Sequence, residues 1–100
     1  MMIKKGIIEI LSRERSFLKN NFGIKRIAVF GSFANDTASE QSDVDIYVEY
    51  ERPLGLKFIQ MVDYLERRLG RKIDVLTPGG IAGIRIKQVA EDIKRSLIDV

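Results

Sequence analysis

Three short β-rich runs limit how this chain can fold: Ile27–Phe30, Asp43–Tyr50 and Ile73–Leu76, each followed within three residues by glycine or proline. Between and around them the apolar residues switch to a helical period. Ile3, Ile7, Ile10, Leu11, Glu14 and Leu18 predict a first helix, expected to stop before Asn20-Asn21-Phe22-Gly23. Phe58, Ile59, Val62, Leu65 and Leu69 predict a second, with Gly70 as its C-cap. Ile86, Val89, Ala90, Ile93 and Leu97 share one face of a last helix, and Pro78-Gly79-Gly80 reads as the stop of the third strand. The order helix, strand, loop, strand, helix, strand, helix predicts one α/β domain (α+β, two layers) over residues 1–100, a small mixed sheet with helices packed on it. A direct loop permits the first two strands to pair antiparallel, and a crossover helix permits the third to run parallel. Phe17 and Phe22 are expected to pack the first helix onto the sheet, and Phe58, Ile59 and Val62 to fill the core. Arg67, Arg68, Arg71 and Lys72 read as a solvated, basic helix end.

The second run starts with an anomaly. Asp43 and Asp45 stand one residue apart in a strand, so both point to one face, while Val44 and Ile46 point to the other. Adjacent carboxylates repel, and one of them then tends to keep its proton. A divalent cation removes the repulsion and gives the pair a reason to exist. Asp74, inside Ile-Asp-Val-Leu, is the third such residue. An unpaired buried charge there costs several kcal/mol on the order-of-magnitude scale of such burial. If the third strand lies beside the second, three carboxylates gather around one or two metal ions, an arrangement suited to in-line displacement at phosphorus.

Composition narrows the chemistry. The chain contains no cysteine and no histidine. Disulfides, thiolate metal sites, a cysteine nucleophile and a histidine base are therefore excluded within it. Any metal is held by oxygen, as Mg²⁺ or Mn²⁺ prefers. The net charge of +3 is too small a bias to indicate nucleic-acid binding. No apolar run is long enough to span a bilayer, and the segment behind Met1-Met2-Ile3-Lys4-Lys5 is amphipathic rather than a signal-peptide core, so a cytoplasmic location is expected.

Gly31-Ser32 directly follows the first strand. Glycine lets the backbone approach a ligand, and a short helical turn from Ser32 to Asp36 would offer free N–H groups to a phosphate. The stretch is not a Walker loop, because no Gly-Lys-Ser/Thr follows.

Gly31-Ser32, ten intervening residues and Asp43-Val44-Asp45 together resemble the signature of the DNA polymerase beta-like nucleotidyltransferase superfamily. Chain length and Lys72-Ile73-Asp74-Val75-Leu76-Thr77-Pro78 are similar to its minimal nucleotidyltransferase (MNT) branch, and the likeness covers about Ile24 to Glu91. The resemblance implies that Gly31 and Ser32 hold a nucleoside triphosphate. It implies that Asp43 and Asp45 bind the metal ions, and that Asp74 completes the metal site and activates an attacking hydroxyl. It further implies the nucleotidyltransferase fold, ATP as substrate with Mg²⁺ (or Mn²⁺), and transfer of AMP to a protein hydroxyl. The partner so implied is a HEPN-domain toxin, modified on a tyrosine, with this chain as its antitoxin in a hetero-oligomer. One departure stands out. Family members often read Gly-Ser-x-Ala-Arg-Gly, whereas Asn35-Asp36 stands here in place of Arg-Gly. Lys25, Arg26, Lys57, Arg85 and Lys87 are candidates for the missing cation. A non-catalytic module that neutralises its partner by contact alone is the alternative.

Overall fold

The computed structural model describes residues 3–100; Met1 and Met2, which open the lysine-bearing N-terminal segment, lie outside them. Helix α1 (Lys4–Phe22) leads into strand β1 (Ile24–Phe30), a single helical turn α2 (Gly31–Ala34), strand β2 (Val44–Tyr50), helix α3 (Lys57–Leu69) and strand β3 (Ile73–Leu76). Two further helices, α4 (Pro78–Ala82) and α5 (Lys87–Ser96), precede a two-residue strand β4 (Ile98–Asp99). The sheet order is β3-β2-β1-β4. β1 pairs antiparallel with β2 and β4, while β3 runs parallel to β2 after the α3 crossover. This is the mixed sheet with packed helices expected from the sequence.

Strand alternation divides the core. Ile27, Val29, Val44, Ile46 and Val48 face one side, where Ile7, Leu11 and Leu18 of α1 and Met61, Leu65 and Leu69 of α3 bury them. Each such side chain contributes about 1.5–3 kcal/mol by leaving water. The opposite face holds Ala28 and Tyr47, covered by Ile81 of α4 and by Ala90, Ile93 and Leu97 of and beside α5. Asp45 shares this second face with Tyr47.

Several expectations change in the folded chain. Helix α1 runs through Asn20 and Asn21 to Phe22, because Asn21 Nδ2 donates to the Phe17 carbonyl (2.9 Å) and the left-handed Gly23 (φ 66°) supplies the cap. Pro78-Gly79-Gly80 starts helix α4 instead of only ending β3. Thr77 caps it by accepting the Gly80 N–H at Oγ1 (3.1 Å), and proline at the first helical position lacks only a donor that would be unpaired anyway. Ile59 is exposed rather than core (67%), and Ile86 and Val89 likewise face outward. Phe17 stacks on Tyr64 of α3, with ring centroids 4.5 Å apart, rather than on the sheet.

The helix end at Arg67–Lys72 is not simply solvated. Arg68 Nε donates to Glu14 Oε1 (2.8 Å), and Tyr64 Oη donates to Glu14 Oε2, so the buried Glu14 joins α1 to α3. Among the described residues no helix is long and apolar enough to cross a membrane.

Candidate active site

Register places the carboxylates. Asp45 lies opposite Asp74 across the parallel β2–β3 pair, and opposite Phe30, the last residue of β1, on its other side. Residues paired in this way project to the same face, so Asp45 and Asp74 are neighbours there. Asp43 enters from the loop just ahead of β2. Asp45 is partly buried, whereas Asp43 and Asp74 are exposed. The burial cost assigned to Asp74 from sequence therefore falls on Asp45 instead. Burial, then Asp74, then Asp43 push the Asp45 carboxyl above its ordinary range, opposed by a hydrogen bond from the Ser32 backbone.

Gly31 is tied to the same carboxylate. It sits at φ 72°, and a Cβ there would lie 2.9 Å from Asp45 Cγ, with Asp45 Oδ2 closer still. Only glycine accommodates both the left-handed backbone and the carboxylate packed against it. The helical turn expected after Gly31 forms as α2.

The loop between the two motifs closes in a specific way. Asp36 adopts φ 59°, the left-handed conformation that a glycine at this position would take without strain. Lys4 Nζ of α1 lies 3.5 Å from Asp36 Oδ2, which brings to the turn a cation that sequence reasoning did not consider. Of the cations it did consider, Arg26 is bound to Asp99 and Glu49, and Lys87 reaches Glu91 at 3.9 Å. Two residues went unnoticed as supports. Glu66 Oε2 accepts the Ile73 N–H (3.0 Å) at the start of β3, and Arg71 binds the loop ahead of Asp43. Nothing local signals either role, because each depends on which strand lies beside which loop.

The donor set at Asp43, Asp45 and Asp74 is all oxygen, and the crowding on Asp45 is of the kind a divalent cation relieves. Among the described residues, no three carboxylates converge closely enough to enclose an ion by themselves. The residues suit a hard cation in chemistry, with further oxygen ligands drawn from elsewhere, as phosphate groups commonly supply for Mg²⁺.

Comparisons with known proteins bear on the family and the fold. A nucleotidyltransferase domain family model matches residues 8–99. The Thermococcus cleftensis protein adenylyltransferase MntA is 36% identical over 94 residues, covering 93% of this chain and 95% of that protein. A Methanocaldococcus jannaschii protein, provisionally named a protein adenylyltransferase, is 42% identical over 87 residues, covering 86% and 89%. A solved structure provisionally described as a minimal nucleotidyltransferase superposes with a TM-score of 0.71 at 26% identity, covering 99% of this chain and 97% of that one. A toxin–antitoxin crystal structure with AMP-PNP shares the fold at a TM-score of 0.65 and 18% identity, covering 98% and 72%. A glycine shaped around a strand aspartate, a second aspartate across the parallel pair and this agreement over nearly the whole length have one explanation: the chain belongs to the minimal nucleotidyltransferase family.

Proposed function

We propose that this chain transfers AMP from ATP to a hydroxyl group on a partner protein, acting as the antitoxin of a toxin–antitoxin pair. The observation that carries the reading is the grouping of Asp45, Asp74 and Gly31 at one end of the sheet. The adenylyltransferase names of relatives that match nearly end to end support the reaction class. The toxin–antitoxin complexes that share the fold support the kind of partner. The finer assignment, a HEPN-domain toxin modified on a tyrosine, follows from the family resemblance.

In this reading Gly31 lets the backbone approach the triphosphate. Phosphate binding falls to the Ser32 hydroxyl and the backbone amides of the α2 turn. Asp43 and Asp45 would hold Mg²⁺ or Mn²⁺, with Asp74 and phosphate oxygens completing the set, and the bound metal would supply charge neutralisation at the phosphates. Asp74 is exposed, so an acceptor hydroxyl from another protein can reach it, and it orients that hydroxyl and takes its proton. The acceptor oxygen bonds to the α-phosphorus, the bond to the β-phosphate oxygen breaks, and pyrophosphate leaves.

The test uses ATP labelled at the α-phosphate, Mg²⁺, the purified chain and its co-expressed partner, beside an Asp43→Asn/Asp45→Asn variant. Label on the partner with the wild type alone supports the enzyme. Neutralisation of the partner by both forms without label supports the contact-only alternative, for which the Asn35-Asp36 departure is the motive.

A further inference from the structure

We propose that Arg71 is a positioning residue for Asp43, clamping the loop ahead of β2 against the turn that carries Gly31 and Ser32. Its consequence for activity rests on the transfer reaction proposed above; the clamp itself rests on geometry.

Asp43 is exposed and lies outside β2, so the strand ladder does not fix it. Its two flanks are fixed from another direction. The Ser42 carbonyl accepts from Arg71 Nη2 (3.1 Å), and the Val44 N–H donates to the Lys72 carbonyl (3.0 Å). Adjacent residues at the entrance to β3 thus hold the chain immediately before and after Asp43. Arg71 Nη2 also donates to the carbonyls of Ser39 (3.1 Å) and Glu40. The loop adds bonds of its own: Ser42 N–H to the Ser39 carbonyl (3.1 Å) and Ser39 N–H to Ser42 Oγ (2.9 Å).

The same guanidinium lies over the Phe33 ring, 5.1 Å from its centroid. Phe33 directly follows Ser32 and is almost fully buried, which makes it a rigid support. One side chain therefore touches the element bearing the Gly-Ser turn and the loop delivering Asp43. Arg71 Nε is buried without a hydrogen-bond partner among the described residues, so the guanidinium is placed to serve the loop carbonyls rather than to satisfy all its own donors. Lysine keeps donors for the carbonyls but has no planar face to lie over the Phe33 ring. Arg71 touches carbonyls and a ring, and acts on the chemistry only through Asp43.

The experiment compares wild type, Arg71→Lys and Arg71→Ala by amide hydrogen exchange on the metal-free protein and by steady-state AMP transfer to the partner. Arg71→Ala is expected to speed exchange at the Ser39 and Ser42 amides about tenfold or more, with the Val29 and Ile46 amides unchanged. Its kcat should fall about 10- to 100-fold through misplacement of Asp43, while KM for ATP stays within about threefold. Arg71→Lys should fall between the two, keeping the charge without restoring kcat. Unchanged loop exchange in Arg71→Ala overturns the clamp, as does a loosened loop with full kcat. Parallel loss of protection at core amides in both variants also overturns it, because Arg71 would then only stabilise the fold. If the wild type transfers no AMP, the functional reading fails separately, and the exchange measurement alone upholds or overturns the clamp.

Discussion

The carboxylate of Asp45 fills the space that a side chain on Gly31 would need. A methyl group at position 31 meets Asp45 head-on and is strained at φ 72°, a conformation that costs a non-glycine residue about 1–2 kcal/mol. Gly31→Ala should therefore lower stability by about 2 kcal/mol or more and displace Asp45. Chemical denaturation would show the first effect, and loss of AMP transfer by the fraction still folded would show the second. Full activity in the folded variant would falsify the link between this glycine and the site.

Asp36 supplies a left-handed residue at the place of the glycine in the Gly-Ser-x-Ala-Arg-Gly pattern that the sequence resembles, and it brings a negative charge to the turn. Asn35→Arg/Asp36→Gly should relieve the backbone by about 0.5–1 kcal/mol. It should also tighten nucleotide binding, by roughly three- to tenfold for one added phosphate contact. Calorimetric titration with a non-hydrolysable ATP analogue measures the affinity. An unchanged dissociation constant means that another cation, such as Lys4, already serves that role.

Glu14 is a buried carboxylate with two donors, Tyr64 and Arg68. Its hydrogen bond and negative charge hold the Tyr64 hydroxyl above its ordinary range. Tyr64→Phe should cost about 1 kcal/mol, one hydrogen bond to a charged group that keeps a second partner. Glu14→Ala should cost more, about 3 kcal/mol, by leaving the Tyr64 hydroxyl without its acceptor and a cavity between α1 and α3. Glu14→Met, which fills the space without charge, should cost less than Glu14→Ala. Urea midpoints for the three variants give the order directly.

Arg26 ties β4 to the rest of the sheet through Asp99 (2.7 Å) and Glu49 (3.2 Å). The Arg26 hydrogen bond holds Asp99 below its ordinary 3.8. Tyr47 first and then Arg26 hold Glu49 below 4.5, and burial pushes Tyr47 itself up to about 12. Lowered carboxyl values contribute stability that is complete above the unfolded values and is lost as pH falls through the folded ones. Arg26→Met should thus cost about 0.5–1 kcal/mol at pH 7, the scale of an exposed ion pair. The gap from wild type should close below about pH 4. Denaturation curves across that range decide it, and a gap that persists in acid would assign the effect to packing of Arg26 over the Tyr47 ring.

The sequence by itself determined most of the elements, α4 and β4 excepted, and the chemical vocabulary. Short apolar or β-rich runs marked Ile27–Phe30 and Ile73–Leu76, helical periods marked α1 and α3, and the lack of cysteine and histidine left oxygen as the donor for any metal. These features are local: a side chain's alternation records which face is buried, whatever covers it. Gly31, Ser32 and the three aspartates were legible for the same reason, since each is out of place in an apolar strand or at its end.

Tertiary structure alone decided how the pieces meet. It set β3 parallel to β2, which brings Asp74 opposite Asp45, and it moved the burden of burial from Asp74 to Asp45. Helical spacing put Ile59 on a plausible core face, yet the sheet accepts Met61, Leu65 and Leu69 and leaves Ile59 in water. Arg71 read as a solvated charge and Glu14 as one position of a helical period, and they prove to be the ties between a loop and a turn and between two helices. Their partners lie 29 and 54 residues away in sequence. Contacts of that range are chosen by the packing of the whole sheet and its helices, and no local pattern carries them.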